Sequence, residues 1–430
     1  MSPSRLEVLA GNSAGYNPDH LPVPLAQQLV RSAVTPIADT ETLPLKQALG
    51  RILAADLVSP IAVPSHDNSA MDGYALRGSD LSASPVTLKV VGKAFAGHPF
   101  PNEVQPGECV RIMTGAVIPR GCDSVIPHEL ATDATDTAVT IPPGRIRTGD
   151  NRRLAGEDLP AGSTALPRGR VLTPSDLGLI ASLGIGEVTV MRKLRVAFFS
   201  TGDELRSIGQ PLDEGCVYDS NRYTLHGMLV RAGCEPIDMG VVRDDPASLE
   251  AALRDACRQA DAIITTGGVS AGDADFTREL MARLGEVLFW KIAMRPGRPM
   301  AFGRIHDDSS GGKQAMLFGL PGNPVAVMAS FYFFARDALA IMAGGTPHPL
   351  LTMRVPCAEA IRKKPGRTEY QRGIVGTDTQ GRQSVRLTGA QGSGVLSSMS
   401  AANCMVVLHH EQDSVAAGEL VDVLLFDGLF

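Results

Sequence analysis

The sequence predicts a multidomain protein of the α/β plus β class, in which a doubly wound α/β domain is flanked by segments rich in short strands. Three observations predict this class. The 430 residues exceed the length of one ordinary domain. Between about 190 and 345, apolar strands alternate with amphipathic helices. Before and after this stretch, short strands alternate with Gly/Pro turns instead.

The composition is that of a soluble globular protein, with 44% hydrophobic and 20% charged residues. The formal net charge of −6 argues against non-specific nucleic-acid binding, because proteins that bind nucleic acids in this way carry a basic surface. An anionic small substrate is compatible with this charge, since a local cluster of basic residues is enough to bind it.

Cysteine usage and hydropathy indicate a cytoplasmic protein without a membrane partner. The seven cysteines are scattered and odd in number, so neither a disulfide framework nor a zinc site is expected. Residues 1–15 lack the apolar core of a signal peptide. The most apolar stretch, residues 325–343, contains Arg336 and Asp337, and it predicts a buried helix rather than a membrane span.

Shifts in composition along the chain predict four domains. Residues 1–20 are polar and are expected to lack regular structure. The predicted domains are a discontinuous elongated mixed domain at 20–58 and 146–188, an inserted β module at 59–145, the α/β domain at 189–345 and a second β domain at 346–430.

Three helices are predicted outside the α/β domain. Two of them lie at 25–38 and 44–55. The third begins at Thr173-Pro174-Ser175-Asp176, because this order of residues forms a capping box with proline at the first helical position. We expect it to run to about Leu183 and to end at Gly184.

Within the α/β domain, six strands and three helices are predicted, and the alternation favours parallel strands covered by helices on both faces. The predicted strands are 195–200, 237–242, 261–266, 287–294, 300–305 and 315–320, and the predicted helices are 221–232, 246–259 and 275–284.

Polar loops follow four of these strands, at 201–204, 266–275, 295–299 and 321–324. Ligands of open α/β sheets bind beyond the carboxyl ends of the strands. We therefore expect the four loops to crowd one edge of the sheet.

The loops predicted at this edge carry residue types suited to an anionic substrate. The 267–275 loop could wrap a phosphate with its N–H groups, although a glycine-rich turn by itself is more often only a turn. Asp275 alone could be only the acidic start of a helix. Together, however, the carboxylates suit Mg²⁺, and the cationic side chains suit an oxyanion. The carboxylates are Glu204, Asp244 and Asp275, and the cations are Lys291, Arg295 and Arg298.

Other polar segments are unremarkable by residue type. Residues 66–74 would pass for an ordinary turn and 156–158 for a solvated loop. Residues 111–115 are typical of the end of a strand. His409-His410 has no metal-ligand partner at a useful spacing, and no nucleophile motif of the Ser/His/Asp or Cys/His kind is present.

Taken together, eight segments resemble the MoeA family, which includes the C-terminal part of gephyrin. They occur in family order between about 60 and 330, which makes the resemblance specific. They are DNSAMDGYAL at 67–76, RIMTGAVIP at 111–119, GED at 156–158, STGDEL at 200–205, YDSNR at 218–222, TTGGVSAGDADF at 265–276, FWKIAMRPGRPMAFG at 289–303 and GLPGNPVAVM at 319–328.

The resemblance implies an architecture and an assembly. The α/β domain would bind molybdopterin, and the last domain would be a β barrel. The protein would be a homodimer whose active cleft is shared, with Asp67, Thr114 and Asp158 of one subunit facing the α/β domain of the other.

The resemblance also implies roles for individual residues. The catalytic set would be Asp67, Asp158, Glu204, Asp244 and Asp275, of which Asp244 and Asp275 would bind Mg²⁺. The substrate-binding set would be Thr114, Gly267, Gly268, Ser270, Lys291, Arg295, Arg298, Arg367 and Ser397. Many relatives carry lysine at positions 295 and 298, where arginine keeps the charge but changes the geometry.

The implied activity is insertion of molybdenum into the molybdenum cofactor. Molybdopterin-AMP and molybdate, as substrates, would give the cofactor and AMP with Mg²⁺ present. A molybdopterin adenylyltransferase is an expected partner. Two alternatives stay open: the chain could itself be that adenylyltransferase, although such enzymes are small single domains, or it could be a non-enzymatic scaffold. A scaffold has no use for so many acids in one cleft.

Overall fold

The computed structural model describes residues 5–268, 275–307 and 312–426, which form two compact units. The inserted unit comprises residues 42–49 and 55–188. The main unit comprises the remaining described residues. The finer division into four domains stays a prediction.

The helices include the three predicted in the α/β domain and several shorter ones. A π-helical turn, Phe331–Ala335, connects the helices Pro324–Ser330 and Arg336–Met342. In chain order they are α1 (Arg5–Gly11), α2 (Val23–Ala33), α3 (Pro174–Ser182), α4 (Ser220–Arg231), α5 (Pro246–Gln259), α6 (Asp275–Leu284), α7 (Pro324–Ser330), α8 (Arg336–Met342) and α9 (Leu396–Ala401).

Most strands outside the α/β segment are short, with β5 and β22 as exceptions. Those before residue 190 are β1 (Thr40–Pro44), β2 (Leu57–Val58), β3 (Asn68–Ser69), β4 (Gly73–Leu76), β5 (Val86–Ala94), β6 (Glu108–Ile112), β7 (Ser124–Pro127), β8 (Ala138–Ile141), β9 (Arg152–Arg153), β10 (Thr164–Leu166) and β11 (Glu187–Met191). The later ones are β12 (Arg195–Thr201), β13 (Leu205–Arg206), β14 (Val217–Tyr218), β15 (Glu235–Val242), β16 (Ala262–Thr266), β17 (Gly285–Lys291), β18 (Met294–Arg295), β19 (Pro299–Asp307), β20 (Lys313–Leu320), β21 (Thr352–Pro356), β22 (Thr368–Thr377), β23 (Gln383–Leu387), β24 (Cys404–Leu408) and β25 (Leu420–Leu425).

Three expectations near the N-terminus are wrong. Residues 5–11 form α1, whose Leu6 and Ala10 are buried. Helix α2 ends at Ala33 rather than near 38, because Pro36 disfavours helical geometry at the residue before it. The predicted helix at 44–55 is absent, and a 3₁₀ turn, Leu45–Gln47, stands there. Gly50 has φ +73°, a left-handed conformation that cannot continue a helix.

The α/β segment forms a six-stranded sheet in the order β15-β12-β16-β20-β19-β17. The first four strands are parallel, whereas β19 is antiparallel to both of its neighbours. The expectation of parallel strands throughout is therefore wrong at β19. The connections on either side of β19 are too short for a crossover helix, so the chain must reverse direction. As a result, β12, β15, β16, β17 and β20 end, and β19 begins, at one edge, which we call the carboxyl edge.

Helices cover both faces of this sheet, and strand β12 illustrates why. Val196 and Phe198 belong to one buried cluster, whereas Ala197 and Phe199 belong to another. Successive side chains of a strand point to opposite faces, so a strand buried on both faces is a continuous apolar run. Helices α4 and α7 contribute residues to the first cluster, and α5 and α6 to the second. Each fully buried phenylalanine contributes about 1.5–3 kcal/mol.

The long apolar helix is part of the core. Pro324–Met342 is 19 residues long and has the length and composition of a membrane span, but 78% of its apolar window is buried inside the protein. It is the one such helix in the part of the chain that the structure describes. Core helices pass the same test, and the sequence had predicted a buried helix here.

The last segment forms a second sheet in the order β18-β22-β24-β25-β21, with β23 beside β22. Its first strand, Met294–Arg295, belongs to the loop after β17 and pairs in parallel with Thr368 and Glu369. At the other side, a bridge between Cys357 and Val385 connects the end of β21 to β23. The loop at 295–298 is therefore hydrogen-bonded to the last segment.

The inserted unit is built on a five-stranded sheet in the order β7-β4-β6-β5-β8. All four residues of β4 are buried. Gly73, its first residue, lies so close to β7 that a Cβ atom would sit 1.9 Å from the Ile126 carbonyl oxygen. Only glycine fits at this position, which accounts for a glycine inside a strand.

Helix α3 begins with the predicted capping box. The Thr173 hydroxyl accepts from the Asp176 N–H, and the Asp176 carboxylate accepts from the Thr173 N–H at 2.9 Å. The helix reaches its C-cap at Leu183, and Gly184 follows with φ +74°, as predicted. Asp176 is buried and also accepts from the Arg170 guanidinium at 2.9 Å.

The thiols of six cysteines are held in the protonated form. Burial raises the pKa of Cys109, Cys122 and Cys234 to about 12, and that of Cys404 to about 11. Burial raises the pKa of Cys257 and Cys357 as well. The thiolate rather than the thiol is the reactive form, so these side chains are chemically inert at neutral pH.

Replacing Thr173 with alanine will lower the free energy of unfolding of the inserted unit by about 1 kcal/mol, because the substitution removes an N-cap acceptor. Urea unfolding followed by far-UV circular dichroism measures the change. Ser182→Ala, at the other end of α3, is the control and will change the stability by less than about 0.5 kcal/mol. Equal effects of the two substitutions would contradict the capping assignment.

The contribution of Asp176 will depend on pH. Burial alone would raise the pKa of this carboxyl, but hydrogen bonds from Arg170 and Thr173 outweigh it and hold the pKa below its usual value. A lowered pKa stabilises the fold above the unfolded-state value of about 3.9, and the stabilisation disappears as the pH falls through the folded value. Asp176→Asn will therefore be less stable than wild type at pH 7, and the difference will shrink below about pH 4. A difference that stays constant in urea unfolding from pH 7 to pH 3 would exclude this linkage.

Candidate functional site

Two glycine-containing loops meet at the carboxyl edge of the α/β sheet. Gly267 follows β16, and a Cβ atom on it would lie 2.4 Å from the carbonyl oxygen of Thr201, the last residue of β12. A Cβ atom on Gly322, which follows β20, would lie 3.8 Å from the Gly267 Cα. Gly267 and Gly268 have φ of +88° and +65°. Glycine is therefore required at 267, where the two loops pack backbone against backbone, and Gly267 and Gly268 are half-buried at this edge.

Carboxylates lie beside these loops. The Thr201 hydroxyl donates to Asp244 Oδ1 at 3.3 Å, which places Asp244 at the end of β12. Glu204 is exposed, and its carboxylate lies over Gly202, where a Cβ atom would be 2.5 Å from Oε2. The structure thus brings Asp244 and Glu204 to the ends of adjacent strands, as the sequence predicts.

Part of the predicted phosphate loop lies outside the described residues. Ser270 is among residues 269–274, and Asp275 is described only as the first residue of α6. Among the described residues, no group of three or more His, Cys, Asp or Glu side chains is arranged to hold a metal ion. A Mg²⁺ site that uses one or two carboxylates and substrate phosphates does not require such a group.

The basic loop after β17 is held in place by backbone contacts. The Ile292 N–H donates to the Arg298 carbonyl at 2.7 Å, and the Thr368 N–H donates to the Ala293 carbonyl at 2.9 Å. Gly297 has φ +96°, and a Cβ atom on it would lie 2.7 Å from the Ser330 hydroxyl. Only glycine therefore fits at the tip of this turn.

The three predicted cations of this loop are not equivalent. Lys291 forms an ion pair of 2.7 Å with Asp19. Arg295 and Arg298 are exposed, and neither guanidinium forms an ion pair or hydrogen bond with another residue in the described ranges. The two arginines are thus available to an anion in a way that Lys291 is not.

Arg372 is a residue that the sequence analysis missed. It lies in β22, is only 1% exposed, and donates to the Ser398 hydroxyl and to the carbonyls of Ala390, Gln391 and Gly392. Burial lowers the pKa of this guanidinium, and the nearby positive charge of Arg295 lowers it further. Arg295 belongs to β18, which pairs with β22, the strand that contains Arg372. An arginine within a strand of buried residues was the available signal.

The two site residues predicted in the last segment, Arg367 and Ser397, differ from Arg372 in their contacts. Arg367 forms an ion pair of 2.9 Å with Glu369, which is buried. Ser397 is exposed on α9, and the adjacent Ser398 is the residue that contacts Arg372. A helix directs adjacent residues to different faces, and sequence alone did not show which serine faces β22.

In the inserted unit, three backbone segments bring the predicted acids and Thr114 into one region. The Ile118 N–H donates to the Asp67 carbonyl at 2.9 Å, and the Asp158 N–H donates to the Val63 carbonyl at 3.1 Å. The Asp67 carboxylate accepts from the Ala155 N–H at 2.8 Å. Asp158 is exposed.

Thr114 is oriented by Asp72, which the sequence analysis did not single out. Both the N–H and the hydroxyl of Thr114 donate to Asp72 Oδ1 at 2.7 Å. These two hydrogen bonds hold the pKa of the Asp72 carboxyl below its usual value. Because the Thr114 hydroxyl donates to Asp72, its oxygen lone pairs are left to accept a hydrogen bond from a ligand.

Comparison with known proteins covers nearly the whole chain. Residues 21–184 match the MoeA N-terminal region (domain I and II), residues 197–341 a probable molybdopterin binding domain, and residues 354–426 the MoeA C-terminal region (domain IV). The molybdopterin molybdenumtransferase of Haemophilus influenzae is 44% identical over 91% of this chain and 95% of its own length.

More distant relatives agree. The molybdopterin molybdenumtransferase of Bacillus subtilis is 34% identical over 90% of each chain. The crystal structure of the molybdopterin biosynthesis MoeA protein from Pyrococcus horikoshii matches with a TM-score of 0.80 and 29% identity, over 95% of this chain and 100% of that one. The sheet-rich, mixed α/β fold is therefore the MoeA fold, and the chain belongs to the MoeA family.

Proposed function

We propose that this chain inserts molybdenum, converting molybdopterin-AMP and molybdate to molybdenum cofactor and AMP in the presence of Mg²⁺. Relatives that share up to 44% identity over nearly the whole chain are named molybdopterin molybdenumtransferase. The observation that carries the proposal is the group of cationic side chains at the carboxyl edge, beside a glycine-rich loop.

Arg295 and Arg298 are proposed to bind molybdate, and the buried Arg372 to add its positive charge from within the last segment. Arg295 and Arg298 form no ion pair within the described ranges, and Arg372 is bonded only to carbonyls and a hydroxyl. Guanidinium groups present planar forks of donors that match oxyanions, and a cation without an internal carboxylate partner gains most from an added anion. Lys291 would join them if its ion pair with Asp19 opened.

The Gly267–Gly268 backbone and Ser270 are proposed to bind the phosphates of the nucleotide. The Gly267 N–H already donates to the Leu320 carbonyl at 3.2 Å, so the Gly268 N–H is the donor of this pair that a phosphate would meet. In this role the glycine-rich turn binds a ligand and does not only reverse the direction of the chain.

Asp244 and Asp275 are proposed as the protein ligands of Mg²⁺, with Glu204 beside them. Mg²⁺ keeps several waters and binds proteins through one or two carboxylates together with substrate phosphates, which is the donor set offered here. When bound, the ion neutralises charge on the phosphoanhydride as it is cleaved. The carboxylate of Asp244 is held at the end of β12 by Thr201.

The chain's own residues would act by binding and positioning. The arginines would hold molybdate beside the dithiolene sulfurs of molybdopterin, in the orientation that the reaction needs. No side chain needs to form a covalent bond. Arg367 and Ser397 are weaker candidates for the substrate contact, since Arg367 is paired with Glu369 and Ser398 makes the contact with Arg372.

The residues of the inserted unit are proposed to act in a homodimer. Asp67, Asp158 and Thr114, the last oriented by Asp72, would face the α/β domain of the second subunit. The last segment is proposed to close into a β barrel, for which the bridge between Cys357 and Val385 is support. The proposed location is the cytoplasm, with a molybdopterin adenylyltransferase as partner.

The two alternatives differ from this proposal in the product that they predict. An adenylyltransferase would form molybdopterin-AMP from ATP and molybdopterin, and a scaffold would turn over neither. Matches to the MoeA regions on both sides of the molybdopterin-binding segment disfavour a small adenylyltransferase.

The purified protein, incubated with molybdopterin-AMP and Mg²⁺, will release AMP only when molybdate is added. The product will activate an apo-molybdoenzyme, which separates insertion from simple hydrolysis. Synthesis of molybdopterin-AMP without insertion would instead establish the adenylyltransferase. An absence of both reactions would favour the scaffold.

Replacing Arg295 with alanine will raise the molybdate concentration needed for half-maximal AMP release by about tenfold or more, the loss expected for a charge-assisted hydrogen bond. Arg295→Lys will keep part of the activity because it keeps the charge. Arg195→Ala is the matched control, since Arg195 begins β12 at the opposite edge and pairs with Glu235. Equal effects at 195 and 295 would mean that the arginine acts through net charge and not at the site.

A further inference from the structure

The loop after β20 offers few backbone donors. It comprises Pro321-Gly322-Asn323-Pro324, and proline has no N–H group, so only Gly322 and Asn323 can donate. Neither N–H donates to another residue within the described ranges. The direction in which these two N–H groups point therefore decides what the loop can bind.

The side chain of Asn221 fixes the orientation of the peptide group between Gly322 and Asn323. Its side-chain Nδ2 donates to the Gly322 carbonyl at 2.6 Å. A carbonyl can only accept, so the orientation of the amide is determined. The carbonyl of Gly322 and the N–H of Asn323 belong to one peptide plane and point in opposite directions across a trans bond. The Asn323 N–H is therefore turned away from Asn221.

The start of α4, which contains Asn221, is hydrogen-bonded to the ends of the neighbouring strands. Asp219, which caps α4, accepts from the Ser200 hydroxyl at 2.9 Å. The Thr266 hydroxyl donates to Ser200 at 2.9 Å. This buried chain of hydrogen bonds connects the ends of β12 and β16 to the start of α4. Through Asn221, the loop after β20 is set relative to both strands.

The burial of Asn221 is unfavourable for folding alone. The residue is 6% exposed, and its Oδ1 is buried without a hydrogen-bond partner. An unsatisfied buried acceptor destabilises the folded state, and an apolar side chain of similar size would avoid it. The presence of an amide here is explained if its hydrogen bond to the Gly322 carbonyl positions the loop rather than stabilises the fold.

We propose that Asn221 is a positioning residue that holds the Gly322–Asn323 peptide so that the Asn323 N–H donates to an anionic group of the substrate, a phosphate of the nucleotide. The inference rests on the proposed function, because that function supplies the anion. Asn221 itself, however, contacts the loop and not the substrate.

The test compares Asn221→Asp with Asn221→Ala at pH 8. The introduced carboxylate has nearly the same shape but cannot donate, and it repels the Gly322 carbonyl. We expect the KM for molybdopterin-AMP and the Kd for AMP to rise about tenfold, the loss of one hydrogen bond to a charged group. The value of kcat should change less, since the arginines and carboxylates are untouched.

A pH series separates positioning from general damage. At lower pH the introduced carboxyl is protonated and can donate its O–H to the Gly322 carbonyl, so the KM of Asn221→Asp should return towards that of wild type. Asn221→Ala should not recover. The matched control is Asn403→Asp, which removes a similar amide donor, from Asn403 Nδ2 to the Val375 carbonyl, in the last segment.

Several results would overturn the proposal. One is a KM and Kd for Asn221→Asp within about twofold of wild type, the range of an ordinary surface substitution. Others are an equal loss in Asn403→Asp, or no recovery at low pH. If Asn221→Asp does not fold, Asn221→Ser, which keeps a donor, should bind AMP more tightly than Asn221→Ala, and the reverse order would count against the idea. AMP binding is measured without insertion, so the proposed function can fail while this inference stands.

Discussion

The close approach of the Gly267 backbone to the Thr201 carbonyl is the contact on which the carboxyl edge depends. Any side chain at 267 would force the loops after β12 and β16 apart, since its Cβ atom would lie 2.4 Å from that oxygen. Because these two strands are adjacent in the sheet, their loops define the floor of the edge. Asp244, Glu204 and Gly322 are all placed relative to this floor.

A second constraint is the sharing of a strand between two segments. Met294–Arg295 follows the α/β sheet in the chain but pairs with the sheet of the last segment. The exposed Arg295 is thereby brought near the buried Arg372, whose five N–H groups are largely occupied by carbonyls. Burying a positive charge without a carboxylate partner destabilises the folded state. The buried position of Arg372 is explained if its charge helps to attract an anion.

The strands of the α/β sheet and the loops at its edge could be predicted, because a strand buried on both faces is a continuous apolar run. The direction of β19 is not visible in its apolar run, but the short connections at 295–299 and 306–314 do contain it, because a parallel strand needs a crossover of a dozen or more residues. Arg372, Asp72 and Asn221 escaped notice for a different reason. Each acts through hydrogen bonds to residues distant in sequence, and residue type alone does not show which partners the fold brings to it.

The protonated cysteines have a consequence for a protein that handles molybdenum. Thiolates are soft ligands, and a deprotonated side chain near the site would compete with the dithiolene sulfurs for the metal. Burial raises the pKa of Cys109, Cys122, Cys234 and Cys404 to about 11 or 12, and that of Cys257 and Cys357 in the same direction. These six sulfurs therefore offer molybdenum no thiolate ligand, which removes six of the seven cysteines as competitors of the dithiolene.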